Sequence, residues 1–114
     1  MPRAAEAVGV RRKLATYSLA VGHDEGGPKA YRFEQLLGIT LDHLDHLETE
    51  IRRGVMIHPV IKAWETLYGQ QCTVRIPVHG VGIHHGNVTV VTTGWQLRYV
   101  GDRPRLVSAY IKGK

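Results

Sequence analysis

The sequence predicts an α+β fold, with N-terminal helices packed on a C-terminal antiparallel β-meander. Apolar residues recur at helical spacing in the first half, and they alternate with polar residues in the second half. Helices that precede an antiparallel sheet are typical of this class, and 114 residues suit one domain. We expect a flexible basic arm over residues 1–12 and a single domain over residues 13–114. Within that domain, Lys13 to Ala20 fits either a strand or a helical turn.

Three helices are predicted before the sheet. The first begins at Pro28, where the missing N–H costs nothing, and ends at Gly38. The second is capped by Thr40 and ends at Gly54, with apolar residues along one face. Residues 55–68 are predicted to form a short third helix that contains a proline near its start.

Three strands are predicted to follow. Residues 72–78 alternate between apolar and polar, as a half-buried strand does. Because Pro77 cannot donate to a ladder, we expect an edge strand or a bulge there. A second strand is expected over residues 88–100, interrupted by Gly94, and a third over residues 105–112.

The net charge of +5 is distributed unevenly along the chain. Residues 1–13 carry +3, residues 98–114 carry +4, and the segment between them carries −2. Basic ends of this kind favour a polyanionic partner such as RNA.

The single Cys72 excludes an intrachain disulfide, and its apolar neighbours indicate a small core residue of a strand. No apolar run approaches the roughly 20 residues needed to span a membrane, and the N-terminus lacks the apolar core of a secretory signal. We therefore expect no membrane partner and a cytoplasmic location, either in the producing cell or in a target cell into which the domain is delivered.

His23 and Lys29 form the first candidate site. His23 precedes the first predicted helix and Lys29 lies in its first turn, where unsatisfied N–H groups attract anions. A histidine can transfer a proton and a lysine can stabilise charge on a phosphate. The alternative is a solvated loop with a surface lysine.

The last two strands provide a second candidate site. Alternation places Thr93 and Trp95 on one face, and Leu106, Ser108 and Tyr110 on one face of the next strand. If those faces coincide, three hydroxyls converge beside an indole ring, which could orient a phosphate and stack on a base. The alternative is ordinary sheet packing.

A third group of polar side chains, His79, His84 and His85, lies near the first predicted hairpin. No Cys or carboxylate completes a zinc-like ligand set, so we predict neither a metal nor a cofactor. A catalytic imidazole and a plain polar turn both fit this group.

Five stretches together resemble a known family: Lys13 to Leu19, His23 to Phe33, Leu37 to Thr40, Thr93 to Trp95, and Pro104 to Tyr110. It is a family of small uncharacterised bacterial domains found alone, beside antitoxins, or at the end of polymorphic-toxin and phage-head-related proteins. The pattern is more distantly similar to the barnase–EndoU–colicin–RelE (BECR) ribonuclease superfamily.

The resemblance implies a toxin that cleaves RNA without a metal, through attack of the ribose 2′-hydroxyl on the adjacent phosphate. It implies that His23 is the acid or base, that Lys29 stabilises the phosphate, and that Thr93, Ser108 and Tyr110 orient it. Ser108 replaces the family's usual threonine but keeps the hydroxyl. The residues that we predict to bind RNA are Arg32, Trp95, Arg98 and Arg105.

Two other functions remain open at this point. One is a non-catalytic module that binds nucleic acid or a protein partner, and the other is an interaction domain of phage-related machinery. A ribonuclease toxin would also require a small acidic antitoxin or immunity protein to neutralise its basic surface.

Overall fold

The computed structural model describes residues 1–22 and 26–112. Helices precede a four-stranded antiparallel sheet, which confirms the predicted α+β class. The helices are α1 (Val10–Lys13), α2 (Gly26–Leu37) and α3 (Leu44–Ile57), with a π-helical segment at Leu14–Ser18 and 3₁₀ turns at Ala4–Glu6, Leu41–His43 and Gly82–His84. The strands are β1 (Val60–Thr66), β2 (Gly69–His79), β3 (Val88–Leu97) and β4 (Arg105–Tyr110), in that spatial order. No helix within the described ranges is long and apolar enough to cross a membrane.

The first twelve residues are part of the packed domain, so the predicted flexible arm is wrong. Ala4, Ala7 and Val10 are buried in the core. Val8 forms a parallel bridge with Arg105, in which its N–H donates to Pro104 and its carbonyl accepts from Leu106. The buried side chains of this segment are small and follow no helical or strand period, so their spacing does not predict burial.

The two predicted boundaries between α2 and α3, at Gly38 and Thr40, are confirmed. Gly38 has a φ of +70°, the left-handed conformation that ends a helix at low cost for glycine. Thr40 caps the next helical segment, because its hydroxyl accepts from the Asp42 N–H and its own N–H donates to the His43 ring.

The predicted third helix is wrong, because residues 60–66 form the edge strand β1 instead. Proline suits the start of a strand as well as that of a helix, and β-branched or aromatic residues such as Val60 and Trp64 favour a strand.

The second predicted helix, α3, continues past its predicted end, since Gly54 lies inside it. A Cβ there would lie 2.2 Å from Cγ2 of Ile76, so glycine permits α3 to approach the sheet closely.

Strand β2 is central and not at the edge of the sheet, but Pro77 still has a strand neighbour on one side only. Pairing with β1 ends at Val60–Val74, whereas pairing with β3 continues through Pro77–Val90 to the end of β2. The missing N–H of Pro77 therefore removes no bond from the β1–β2 ladder.

The sheet has a core face, packed against the helices, and an open face. Cys72 lies on the core face as predicted, and burial raises the pKa of its thiol. The largest fully buried side chains include Trp95, Phe33, Leu14, Leu19, Leu37, Ile39, Leu47, Ile51, Ile76 and Leu106. On the open face, Arg75 of β2, Thr92 of β3 and Tyr110 of β4 are consecutive cross-strand partners and are all at least partly exposed.

Candidate active site

Lys29 lies between two aromatic rings at the β4 edge of the sheet. Its Nζ donates a 2.9 Å hydrogen bond to the Tyr17 hydroxyl. The same atom lies 4.6 Å from the centroid of the Tyr17 ring and 5.0 Å from that of the Tyr110 ring. Two electron-rich ring faces hold the ammonium in place without neutralising its charge.

The structure brings Lys29 together with Tyr110, which are two of the predicted catalytic residues. Lys29 is partly buried, and its ammonium forms no ion pair with a carboxylate among the described residues. A fixed cation of this kind can stabilise negative charge that develops on a phosphate.

Ser108 lies two residues before Tyr110 on the open face. Strand β4 carries one extra residue, Val107, because Gly94 pairs with Ser108 whereas the next residue, Trp95, pairs with Leu106. This bulge turns Leu106 into the core and Ser108 outward, so the predicted common face for Leu106 and Ser108 is wrong. A Cβ at Gly94 would lie 2.6 Å from the Ser108 Oγ, which therefore occupies the space that glycine leaves free.

Thr93 and Trp95 share a face as predicted, but it is the core face. Both are 0% exposed. The Thr93 hydroxyl donates to the Val74 carbonyl at 2.7 Å and accepts from Nε1 of Trp95 at 2.8 Å. Thr93 therefore cannot orient a phosphate beside Ser108 and Tyr110, and the buried indole offers no surface for a base. The predicted catalytic role of Thr93 and the predicted RNA-binding role of Trp95 are therefore wrong.

The proposed acid or base, His23, lies outside the described residues. Arg32 is exposed on α2, three residues after Lys29, and so lies near it on the helix surface. Arg105 lines a groove of about 350 Å³ together with Arg12 and Lys13.

Arg98 is not near this site. It lies beyond the end of β3, six residues from the partner of Tyr110, which corresponds to roughly 20 Å along a strand. Its guanidinium binds the carboxylate of Asp102, and this hydrogen bond, supported by backbone N–H groups, lowers the pKa of Asp102 to about 2. Arg98 therefore stabilises the β3–β4 turn, and its assignment to RNA binding stays a prediction because its side chain is exposed.

His46, His79 and His84 form contacts elsewhere in the molecule. Nδ1 of His79 lies 2.8 Å from Glu50, and Nε2 of His46 lies 2.7 Å from the His79 carbonyl. Burial alone would raise the pKa of Glu50, but the hydrogen bonds from His79 hold it below its usual value. His84 contacts Asn87 in the β2–β3 connection. These contacts join α3 and the hairpin and do not reach Lys29.

Tyr17 was not predicted as a site residue, although it lies in one of the motif stretches. It adjoins two lysines, since Nζ of Lys13 also lies 5.5 Å from the centroid of its ring. Spacing along the chain could not show this, because Lys29 approaches from another helix.

Among residues 1–22 and 26–112, no three His, Cys, Asp or Glu side chains are grouped as metal ligands would be.

One protein-family model matches the chain over residues 1–113, and it describes a domain of unknown function, DUF6883. Neither the curated proteins nor the solved structures include a significant match.

Proposed function

Because the chain belongs to the DUF6883 family, whose description states no activity, we propose its function from the site: an endoribonuclease of the toxin class that needs no metal. The observation that carries the proposal is the ammonium of Lys29, held between Tyr17 and Tyr110 at the border of the open face.

In this mechanism the ribose 2′-hydroxyl attacks the adjacent phosphorus, and the 5′-oxygen of the next nucleotide leaves. The products are a 2′,3′-cyclic phosphate and a 5′-hydroxyl. Negative charge accumulates on the non-bridging oxygens in the transition state, and the Lys29 ammonium stabilises it. The Tyr110 and Ser108 hydroxyls lie on the same face of β4 and can donate hydrogen bonds to those oxygens.

A proton must also leave the 2′-hydroxyl, and another must reach the 5′-oxygen. We assign one of these transfers to His23, because an imidazole can accept or donate a proton near pH 7, and solvent water carries out the other. It precedes Lys29 by six residues in the chain. His46 and His79, by contrast, form hydrogen bonds that join α3 to β2.

The open face offers a path for the RNA chain on either side of the cleaved bond. Arg75 lies in the same cross-strand row as Tyr110, and it forms no ion pair with a described carboxylate. A cation here can bind a phosphate, and the proposed substrate is therefore single-stranded RNA. The same basic surface would accept a small acidic antitoxin or immunity protein.

The test is incubation of purified protein with single-stranded RNA in excess chelator. We expect Lys29→Met to lower the cleavage rate about 100-fold or more, the usual effect of removing one donor to a developing oxyanion. We expect His23→Ala to lower it by a similar or larger factor.

Lys62→Met is the matched control. Nζ of Lys62 also lies over an aromatic ring, 5.3 Å from the centroid of Trp64, but on the opposite edge strand. Thermal melts should show that all three variants fold. Undiminished cleavage by Lys29→Met would overturn the assignment.

A non-catalytic RNA-binding module is the second candidate, because the cations of Lys29 and Arg75 could bind phosphates without any proton transfer. Tight, salt-sensitive RNA binding by the wild-type protein without any shortening of the RNA would favour this alternative.

A further inference from the structure

We propose that a second basic surface beside the Lys29 site binds the RNA backbone next to the cleaved bond. This surface, the basic groove, is lined by Gly9, Arg12, Lys13, Thr16, Arg105 and Leu106 and has a volume of about 350 Å³. The inference rests on the proposed function and extends it to a phosphate subsite outside the catalytic residues.

The charges of α1 separate into two groups. Arg11 forms ion pairs with Asp45 and Glu48 of α3. Its neighbours Arg12 and Lys13 line the basic groove and form no ion pair with any described carboxylate. The charge of Arg11 is therefore compensated by α3, whereas Arg12 and Lys13 place uncompensated charges in the basic groove.

Arg105 supplies the third cation from the opposite wall. The groove includes Gly9, where a Cβ would lie 3.6 Å from Cγ and 3.7 Å from Nη1 of Arg105. The Arg105 side chain thus lies across the glycine backbone. The bridge between Val8 and Arg105 joins the two walls. This bridge fixes the backbones of the two walls relative to each other, which reduces the entropy lost when an anion binds.

The basic groove is continuous with the candidate active site. Lys13 lines the groove and lies over the Tyr17 ring, and Lys29 lies over the same ring. From Arg105 to Tyr110 the edge strand spans roughly 17 Å, which is enough for more than one phosphate along a polynucleotide backbone.

The occupant that fits best is the phosphodiester backbone of single-stranded RNA. Among the described lining residues, no side chain is acidic and three are cationic, so the groove recognises anions. Apart from Leu106 its lining is polar or glycine, which suits a hydrated backbone better than an apolar protein segment. An acidic protein segment remains an outcome of the test.

The experiment measures binding of a fluorescent 2′-O-methyl RNA oligonucleotide, which cannot be cleaved through the 2′-oxygen. Anisotropy titrations at several salt concentrations would compare the wild-type protein with Arg12→Gln and Arg105→Gln. For each variant we expect the affinity at low salt to fall roughly tenfold, the loss typical of one charge-assisted hydrogen bond. We expect the salt dependence to flatten by about 0.7 in the log–log slope, the contribution of one phosphate contact on a single strand.

Arg103→Gln is the matched control, because it removes the same charge from an exposed residue two positions before Arg105 and outside the groove lining. If the groove variants behave as this control does while the wild-type protein binds RNA, the subsite is overturned and the proposed function stands. If the wild-type protein binds no RNA at 50 mM salt, the proposed function itself fails. Poly-glutamate binding as tight as RNA binding, and equally sensitive to the groove variants, would assign the groove to an acidic protein instead.

Discussion

Replacement of Thr93 by valine separates a structural role from a catalytic one. Valine has nearly the same shape, but it removes both the bond to the Val74 carbonyl and the acceptor for Nε1 of Trp95. The indole N–H is then buried without a partner, which costs about 1–3 kcal/mol, and the lost bond to Val74 adds about 1 kcal/mol. Since the added methyl offsets part of this cost, we expect the free energy of unfolding to fall by about 2–3 kcal/mol. At about 4 °C per kcal/mol for a domain of this size, the Tm should fall by roughly 10 °C.

Urea denaturation followed by far-UV circular dichroism measures this loss directly. Thr93→Ser is the control, because it keeps the hydroxyl and should lose only about 1 kcal/mol with the buried methyl. RNA cleavage by Thr93→Val, assayed well below its Tm, should match that of the wild-type protein. The reasoning is refuted if the valine variant is as stable as the wild type, or if it folds fully and yet no longer cleaves RNA.

Two further predictions concern the fold. Gly54→Ala should destabilise the protein by about 1–2 kcal/mol, because overpacking against Ile76 exceeds the gain in helix propensity. A higher Tm for this variant would contradict the close approach of α3 to Ile76. The double variant Gly54→Ala/Ile76→Ala should melt above Ile76→Ala alone, since the new methyl fills part of the space. Asp102 has a folded-state pKa of about 2, below its usual 3.8, so its stabilising effect is complete above about pH 4 and is lost as the pH falls through 2. The Tm difference between wild type and Asp102→Asn should therefore shrink over that range, and a difference that stays constant down to pH 2 would exclude the ion pair as its cause.

The helix boundaries that could be predicted from the sequence depend on local chemistry. Gly38 ends α2 through its own backbone conformation, and Thr40 caps the next turn through its own hydroxyl. The predicted helix end at Gly54 is wrong because a tertiary contact requires glycine there. Gly54 permits the close approach of Ile76, a residue 22 positions away in the chain. β1 was misread because Pro59 and the apolar residues after it fit both a helix and a strand.

The candidate site was predicted in part. The resemblance implies one catalytic site that contains both Lys29 and Tyr110, and the two side chains do lie together. The convergence of Thr93 with Ser108 failed because of the bulge at Val107. Alternation along one strand cannot reveal an extra residue, which appears only in the pairing with the neighbouring strand.

The most direct test of the account is the chemical identity of the RNA ends that are formed in the presence of chelator. Attack by the 2′-hydroxyl, with Lys29 stabilising the phosphate, predicts 2′,3′-cyclic phosphate and 5′-hydroxyl ends, and predicts that an RNA with a single 2′-deoxy substitution at the cleavage site resists cutting. Products with 5′-phosphate ends, or equal cleavage of the deoxy-substituted RNA, would contradict it.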